Sequence, residues 1–127
     1  MSNTVIKTTG APAPIGPYNQ AILAGNMLFI SGQIALDPKT NILNNPDIIT
    51  ETNRVMHNLE AILNECGMGF EHVVKTTIFL IDMSLFTEVN EVYEGFFTGV
   101  YPARETVAVK GLPKNVNVEI SMIASRQ

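Results

Sequence analysis

The sequence predicts an α+β fold: one β-sheet carrying two helices on a single face. Three observations predict it. Two segments place apolar residues at helical spacing. Six shorter segments are β-rich or alternate in polarity, and the order along the chain is β-β-β-α-β-α-β-β. The chain has 127 residues, the size of one compact domain, so residues 1–127 are read as a single unit. Two helices cover one face of such a sheet and no more.

Val5 to Thr8 reads as the first strand. Gly10 to Pro17 holds too many breakers for regular structure. Gln20–Ala24 and Met27–Gln33 are apolar segments around Gly25-Asn26, a dipeptide suited to a tight hairpin turn. Asp37-Pro38-Lys39-Thr40-Asn41 is a further turn signal. From Asp47 to Cys66 the spacing predicts a helix, with Val55, Met56, Leu59, Ile62, Leu63 and Cys66 on one stripe. Asp47 is its expected cap and Gly67 its stop. Val73 to Ile81 follows as a strand, and Ser84 to Phe97 as a second helix with Phe86, Val89, Val92, Tyr93, Phe96 and Phe97 on its apolar side. Thr106–Val109 is strand-like, Gly111 to Asn115 turns, and Val116–Ala124 is the last strand.

In that last strand Val116, Val118, Ile120 and Met122 share the face suited to the helices, and Glu119 lies on the other. In the strand from Val73 both faces are partly apolar: Val74, Ile78 and Leu80 against Val73, Phe79 and Ile81. An uncovered apolar face predicts a homo-oligomer.

Hydrophobic residues make up 46% of the chain, which excludes intrinsic disorder. The net charge of −4 and the lack of any Lys/Arg run argue against a nucleic-acid partner. No apolar run reaches the ~20 residues of a membrane span, and no membrane partner is expected. Met1 to Lys7 has the features of neither a signal nor a transit peptide, and a reducing cytoplasm is the expected compartment. Cys66, the single cysteine, excludes an internal disulfide and is in phase with the core stripe. His57 and His72 show no metal-ligand spacing, so no metal and no cofactor is expected. There is no nucleophile elbow or phosphate-binding glycine loop. The glutamates at 51, 60, 65, 88, 91 and 94 read as solvated helix faces.

A small polar set remains. Arg104, just before a strand, is either a surface arginine or a bidentate clamp for a carboxylate. Glu119 is an ordinary exposed strand residue, a structural ion-pair partner or, under a neighbouring subunit, an acid with a raised pKa. Tyr18 is a pocket wall or a loop-packing aromatic, and Ser31-Gly32-Gln33 marks either a close backbone approach to a ligand or a bulge. Periodicity alone favours the plain alternatives for Arg104 and Glu119.

These residues sit within a longer pattern. Ile15-Gly16-Pro17-Tyr18, Ser31-Gly32-Gln33-Ile34, Val74 to Leu80, Val89-Asn90-Glu91-Val92-Tyr93, Pro102-Ala103-Arg104, Leu112-Pro113-Lys114 and Val118-Glu119-Ile120 occur in order. The set closely resembles the Rid family of reactive-intermediate deaminases, also called the YjgF or L-PSP endoribonuclease family. Arg104 together with Glu119 resembles its RidA subgroup, the imine deaminases.

The resemblance implies a chorismate-mutase-like fold and a homotrimer around a central barrel, with ligand pockets between subunits. It implies metal-independent hydrolysis of 2-iminobutanoate and 2-iminopropanoate to 2-oxo acids and ammonia. By position, Arg104 would grip the substrate carboxylate and Glu119 would orient the water and shuttle its proton. Tyr18, Ser31, Gly32, Asn90 and the backbone at Thr106 would line the pocket. Thr106 stands where many members have Cys, and Glu105 is expected to add negative charge beside the anion site. Two other readings go with the pattern: a ribonuclease or translation inhibitor, and a non-enzymatic module that binds 2-oxo acids.

Overall fold

A computed structural model describes residues 3–126. The strands are β1 (Thr4–Ile6), β2 (Ala21–Ala24), β3 (Met27–Gln33), β4 (Val73–Leu80), β5 (Ala103–Ala108) and β6 (Val118–Ser125). The helices are α1 (Ile48–Glu65) and α2 (Phe86–Glu94). They make one six-stranded sheet in the order β1-β2-β3-β6-β4-β5. Only β4 and β5 pair in parallel, because α2 carries the chain back between them.

Both helices lie on one face, as the periodicity predicts. Val55, Met56, Leu59, Ile62 and Leu63 of α1 are fully buried against Leu28 and Ile30 of β3, Ile78 and Leu80 of β4, and Val118, Ile120 and Met122 of β6. Each such aliphatic side chain contributes about 1.5–3 kcal/mol by leaving water. Asp47 caps α1 by accepting from the Thr50 N–H at 2.7 Å, and that bond holds its carboxyl below the usual range. The hairpin between β2 and β3 turns through Gly25, whose φ of 61° needs no Cβ. Cys66 is a buried free thiol at the end of the core stripe.

Several expected boundaries move. The second helix begins two residues late, after a 3₁₀ turn at Met83–Leu85 that Asp82 caps, and it ends at Glu94 rather than Phe97. The chain tightens there through i→i−3 bonds, Phe96 N–H to Tyr93 and Phe97 N–H to Glu94. That lays Phe97 against Phe70 and Tyr93. β5 begins at Ala103, not Thr106, because Ala103 and Arg104 already pair with Lys75 and Thr76. Arg104 is therefore inside a strand. β6 begins at Val118, and Val116 instead closes a small cluster with Ile34 and Leu36. β1 ends at Ile6, and the Thr8 N–H goes to Gln20 Oε1 instead of a strand partner.

Two bulges reset the alternation. One, between Val73 and Lys75, puts Val73 with the buried face and leaves Val74 exposed, reversing the predicted sides of these two valines. The other lies between Ile30 and Gln33. The open face of the sheet presents Val5, Phe29 and Val107, each more than 40% exposed. No helix among the described residues is long and apolar enough to cross a membrane.

Candidate active site

The predicted site residues gather in two places. The first is a cavity of about 370 Å³ lined by Tyr18, Ser31, Gly32, Ile34, Pro113 and Glu119, among others. Gln20 organises its rim. This buried amide donates to the carbonyls of Thr8, Ala11 and Pro12, so the breaker-rich loop is held in one shape. Ser31 Oγ donates to the Asn19 carbonyl at 2.6 Å, and Tyr18 Oη accepts from the Ile15 N–H at 3.3 Å. Ser31 and Gly32 sit in the β3 bulge, so the bulge reading of that glycine holds. Within the chain, the group that comes close to its backbone is the Glu119 carboxyl. A Cβ on Gly32 would stand 2.9 Å from Glu119 Cδ and overlap Oε2.

Glu119 is half-buried, and its side chain accepts no hydrogen bond from any described residue. Burial alone raises its pKa. A carboxyl that is partly dried and unpartnered is poised to trade a proton nearer neutral pH than an ordinary glutamate.

The second place lies under α2. Arg104 Nη1 donates to Asn90 Oδ1 at 2.8 Å. Its guanidinium carbon lies 5.0 Å from the Tyr93 ring centroid and 5.7 Å from that of Phe86. Tyr93 Oη donates to the buried Thr76 Oγ1 at 2.9 Å, which fixes the ring. Burial also raises the Tyr93 pKa, keeping the phenol protonated. No carboxylate among the described residues pairs with Arg104. The result is a preoriented guanidinium with uncompensated charge. Thr106, two residues on and on the same face, has a buried hydroxyl with no hydrogen-bond partner.

One chain does not bring these two places together. Arg104 pairs with Thr76 and Thr106 with Ile78, on the helix face. Glu119 pairs with Phe79 on the opposite face, two strands in from β5. Arg104 and Glu119 are separated by the sheet itself. Glu105 corrects a second expectation. It points to the open face, away from the Arg104 guanidinium, and binds Lys75 Nζ at 3.1 Å and the Thr77 hydroxyl. The Thr77 bond and then Lys75 hold its carboxyl below the usual range. Its charge does not crowd the Arg104 guanidinium of its own chain.

His57 packs edge-on against Phe96, while His72 Nδ1 accepts from the Gly69 N–H, and neither lines the 370 Å³ cavity. A second hollow of about 640 Å³, bordered by Glu60, Asn64 and Phe96, holds none of the predicted residues. Sequence reasoning missed Gln20, Thr76 and the use of Phe86 and Tyr93 as ring contacts for Arg104. Asn90 was the available signal. It falls at i+4 from Phe86 and i−3 from Tyr93, a polar break in an apolar face.

Comparison with known proteins agrees with this architecture. A family profile described as Endoribonuclease L-PSP matches residues 8–126. The mouse 2-iminobutanoate/2-iminopropanoate deaminase is 45% identical over 120 residues, 94% of this chain and 89% of the mouse protein. The solved structure of YyfA from Yersinia pestis, a Rid-family protein of unknown function, superposes with a TM-score of 0.95 at 42% identity, covering 98% of this chain and 99% of that one. Escherichia coli TdcF, solved with bound serine, gives a TM-score of 0.94 at 38% identity, covering 98% and 99%. The chain belongs to the YjgF/L-PSP family, the Rid proteins, and has that family's α+β fold.

Proposed function

We propose that the protein is an imine deaminase of the RidA kind, hydrolysing 2-iminobutanoate and 2-iminopropanoate to the 2-oxo acids and ammonia. The observation that carries this reading is the pair of incomplete sites: an uncompensated guanidinium at Arg104 and an unpartnered, half-dried carboxyl at Glu119. They complete one another if Arg104 of one subunit meets Glu119 of the next. The mouse relative's name and the serine held by TdcF support a small amino-acid-like carboxylate as ligand.

In this reading Arg104 binds the substrate carboxylate bidentately, and the Thr106 backbone and Asn90 keep it in place. Glu119 takes a proton from water as the water oxygen adds to the carbon of the protonated imine, and the C=N π pair goes to nitrogen, leaving a neutral amine. Glu119 then returns that proton to the amine nitrogen, the C–N bond breaks as the hydroxyl oxygen closes to C=O and gives its proton to the Glu119 carboxylate, and ammonia leaves with the 2-oxo acid. The imine is already electrophilic, so a positioned carboxylate giving about 10²–10⁴ is an adequate catalyst. The test is threonine dehydratase plus threonine, following 2-oxobutanoate with and without this protein. No acceleration sinks the proposal. A rate gain that depends on Glu119 also separates it from a 2-oxo-acid sensor, which needs Arg104 alone. The ribonuclease reading has the family's name in its favour, but the charge of −4 and the separate settings of His57 and His72 oppose it.

The proposed assembly is a homotrimer whose contacts cover Val5, Phe29 and Val107. Light scattering on an eluting peak should give three times the 13.9 kDa of one chain, and a monomer at micromolar concentration contradicts it. Gly32→Ala should cost about tenfold to a hundredfold in kcat, because the new Cβ displaces the Glu119 carboxyl. A wild-type kcat in that variant removes the close approach from the mechanism.

A further inference from the structure

The α1 glutamate expected to be solvated is one of the most buried residues in the chain. Glu51 has no exposed surface, and both of its oxygens are used by one partner. Oε2 accepts from the Asn117 backbone N–H and Oε1 from Asn117 Nδ2, each at 2.8 Å. Asn117 stands immediately before β6, and its carbonyl accepts from the Ile81 N–H at 3.0 Å. Glu119 follows two residues later. Upstream, the chain reaches Asn117 through Lys114 and Asn115, both at positive φ, and through Pro113, which lines the cavity. A segment with that backbone needs an external anchor, and Glu51 is the polar group that meets it.

A second buried polar group on α1 does the same on the other wall. Asn58, two turns along, donates to the carbonyls of Ile34 at 3.1 Å and Leu36 at 3.0 Å, both cavity residues. One polar ridge of α1 thus grips the chain leaving β3 and the chain arriving at β6, the two strands that bring Gly32 and Glu119 into contact.

We propose that Glu51 is a positioning residue for Glu119, acting through its two-bond grip on Asn117. This rests on the reading of Glu119 as the proton-transferring acid. Glu51 touches no substrate. It fixes where β6 starts, and therefore where the Glu119 carboxyl lies over Gly32.

The experiment is a charge relocation in the full-length chain. Glu51→Gln presents an amide N–H to one of two Asn117 donors, so one bond is lost. Asn117→Asp alone sets two carboxylates face to face. Together the two substitutions restore both bonds with the charge moved across. The backbone N–H at position 117 donates to the new amide carbonyl at position 51, and the new amide N–H donates to the carboxylate introduced at position 117. Four quantities are read on each variant: kcat and KM for imine hydrolysis, the Glu119 ¹³Cδ resonance, and the melting midpoint. In E51Q we expect kcat to fall about tenfold to a hundredfold with KM little changed, and the Glu119 resonance to shift. In E51Q/N117D both should return most of the way. A purely structural role lowers the midpoint and leaves kcat per folded molecule intact. Asn117→Ala keeps the backbone bond and should give an intermediate loss, which serves if E51Q does not fold. A Glu119 resonance that stays put in folded E51Q overturns the proposal, as does a double variant that folds without recovering. If the wild type hydrolyses no imine, the functional reading falls instead, and the resonance alone decides the positioning.

Discussion

Glu119→Gln is expected to lower imine hydrolysis by about 10²–10⁴ while 2-oxobutanoate still binds nearly as well as to the wild type. Gln keeps the shape over Gly32 but cannot take a proton from water. Calorimetric binding beside the coupled assay separates the two effects. The same variant carries a stability prediction. Burial raises the Glu119 pKa in the folded chain above its unfolded value. The folded state then binds the proton more tightly than the unfolded one. This group's contribution to stability falls as pH rises from the unfolded pKa through the folded one, and the deficit persists at neutral pH. Replacing the carboxylate by an amide removes that deficit. The melting midpoint of Glu119→Gln at pH 7 should equal or exceed the wild type's. A clear drop means that Glu119 has a structural partner and is not free for chemistry. Hydrolysis by the wild type should decline on the acid side at a pH above the usual carboxylate range, because the base must be ionised.

Arg104→Ala should abolish both binding and hydrolysis, and its loss should be repaired in mixed oligomers. The truncated side chain no longer offers a fork to the carboxylate, and Asn90, Tyr93 and Phe86 have nothing to orient. Arg104→Lys should recover only part, since an ammonium has one point of charge and no planar fork. Because Arg104 and Glu119 lie on opposite faces of the same sheet, a site that uses both, as proposed, takes them from two subunits. Unfolding and refolding an equal mixture of Arg104→Ala and Glu119→Gln should therefore restore activity that neither has alone. In a head-to-tail ring about a quarter of the interfaces pair an intact Arg104 with an intact Glu119. Dead mixtures that nevertheless contain both chains in one particle contradict the shared site.

Much of the fold was legible in the sequence because it is set by neighbours three or four residues away. The α1 stripe from Val55 to Cys66, the Asp47 cap, the Gly25-Asn26 hairpin and the alternation from Val118 to Met122 all depend on local hydrogen bonds and on one side of one element meeting apolar groups. The ordered motifs likewise pointed to Arg104, Glu119 and Gly32 by position in the chain.

What the sequence could not settle depends on partners far along the chain. Thr76 determines that Arg104 is already in a strand, and Ala124 and Ile123 determine that Val73 and Val74 change sides across a bulge. Glu51 reads as solvent-facing because three glutamates on one helix look alike. Only Asn117, 66 residues away, makes it a buried anchor. The placement of Arg104 and Glu119 on opposite faces follows from β6 inserting between β3 and β4 while β5 joins the far edge. Alternation assigns each side chain a face within its own strand. It carries no information about which face of a neighbouring strand is the same one, and that is decided by register across the completed sheet.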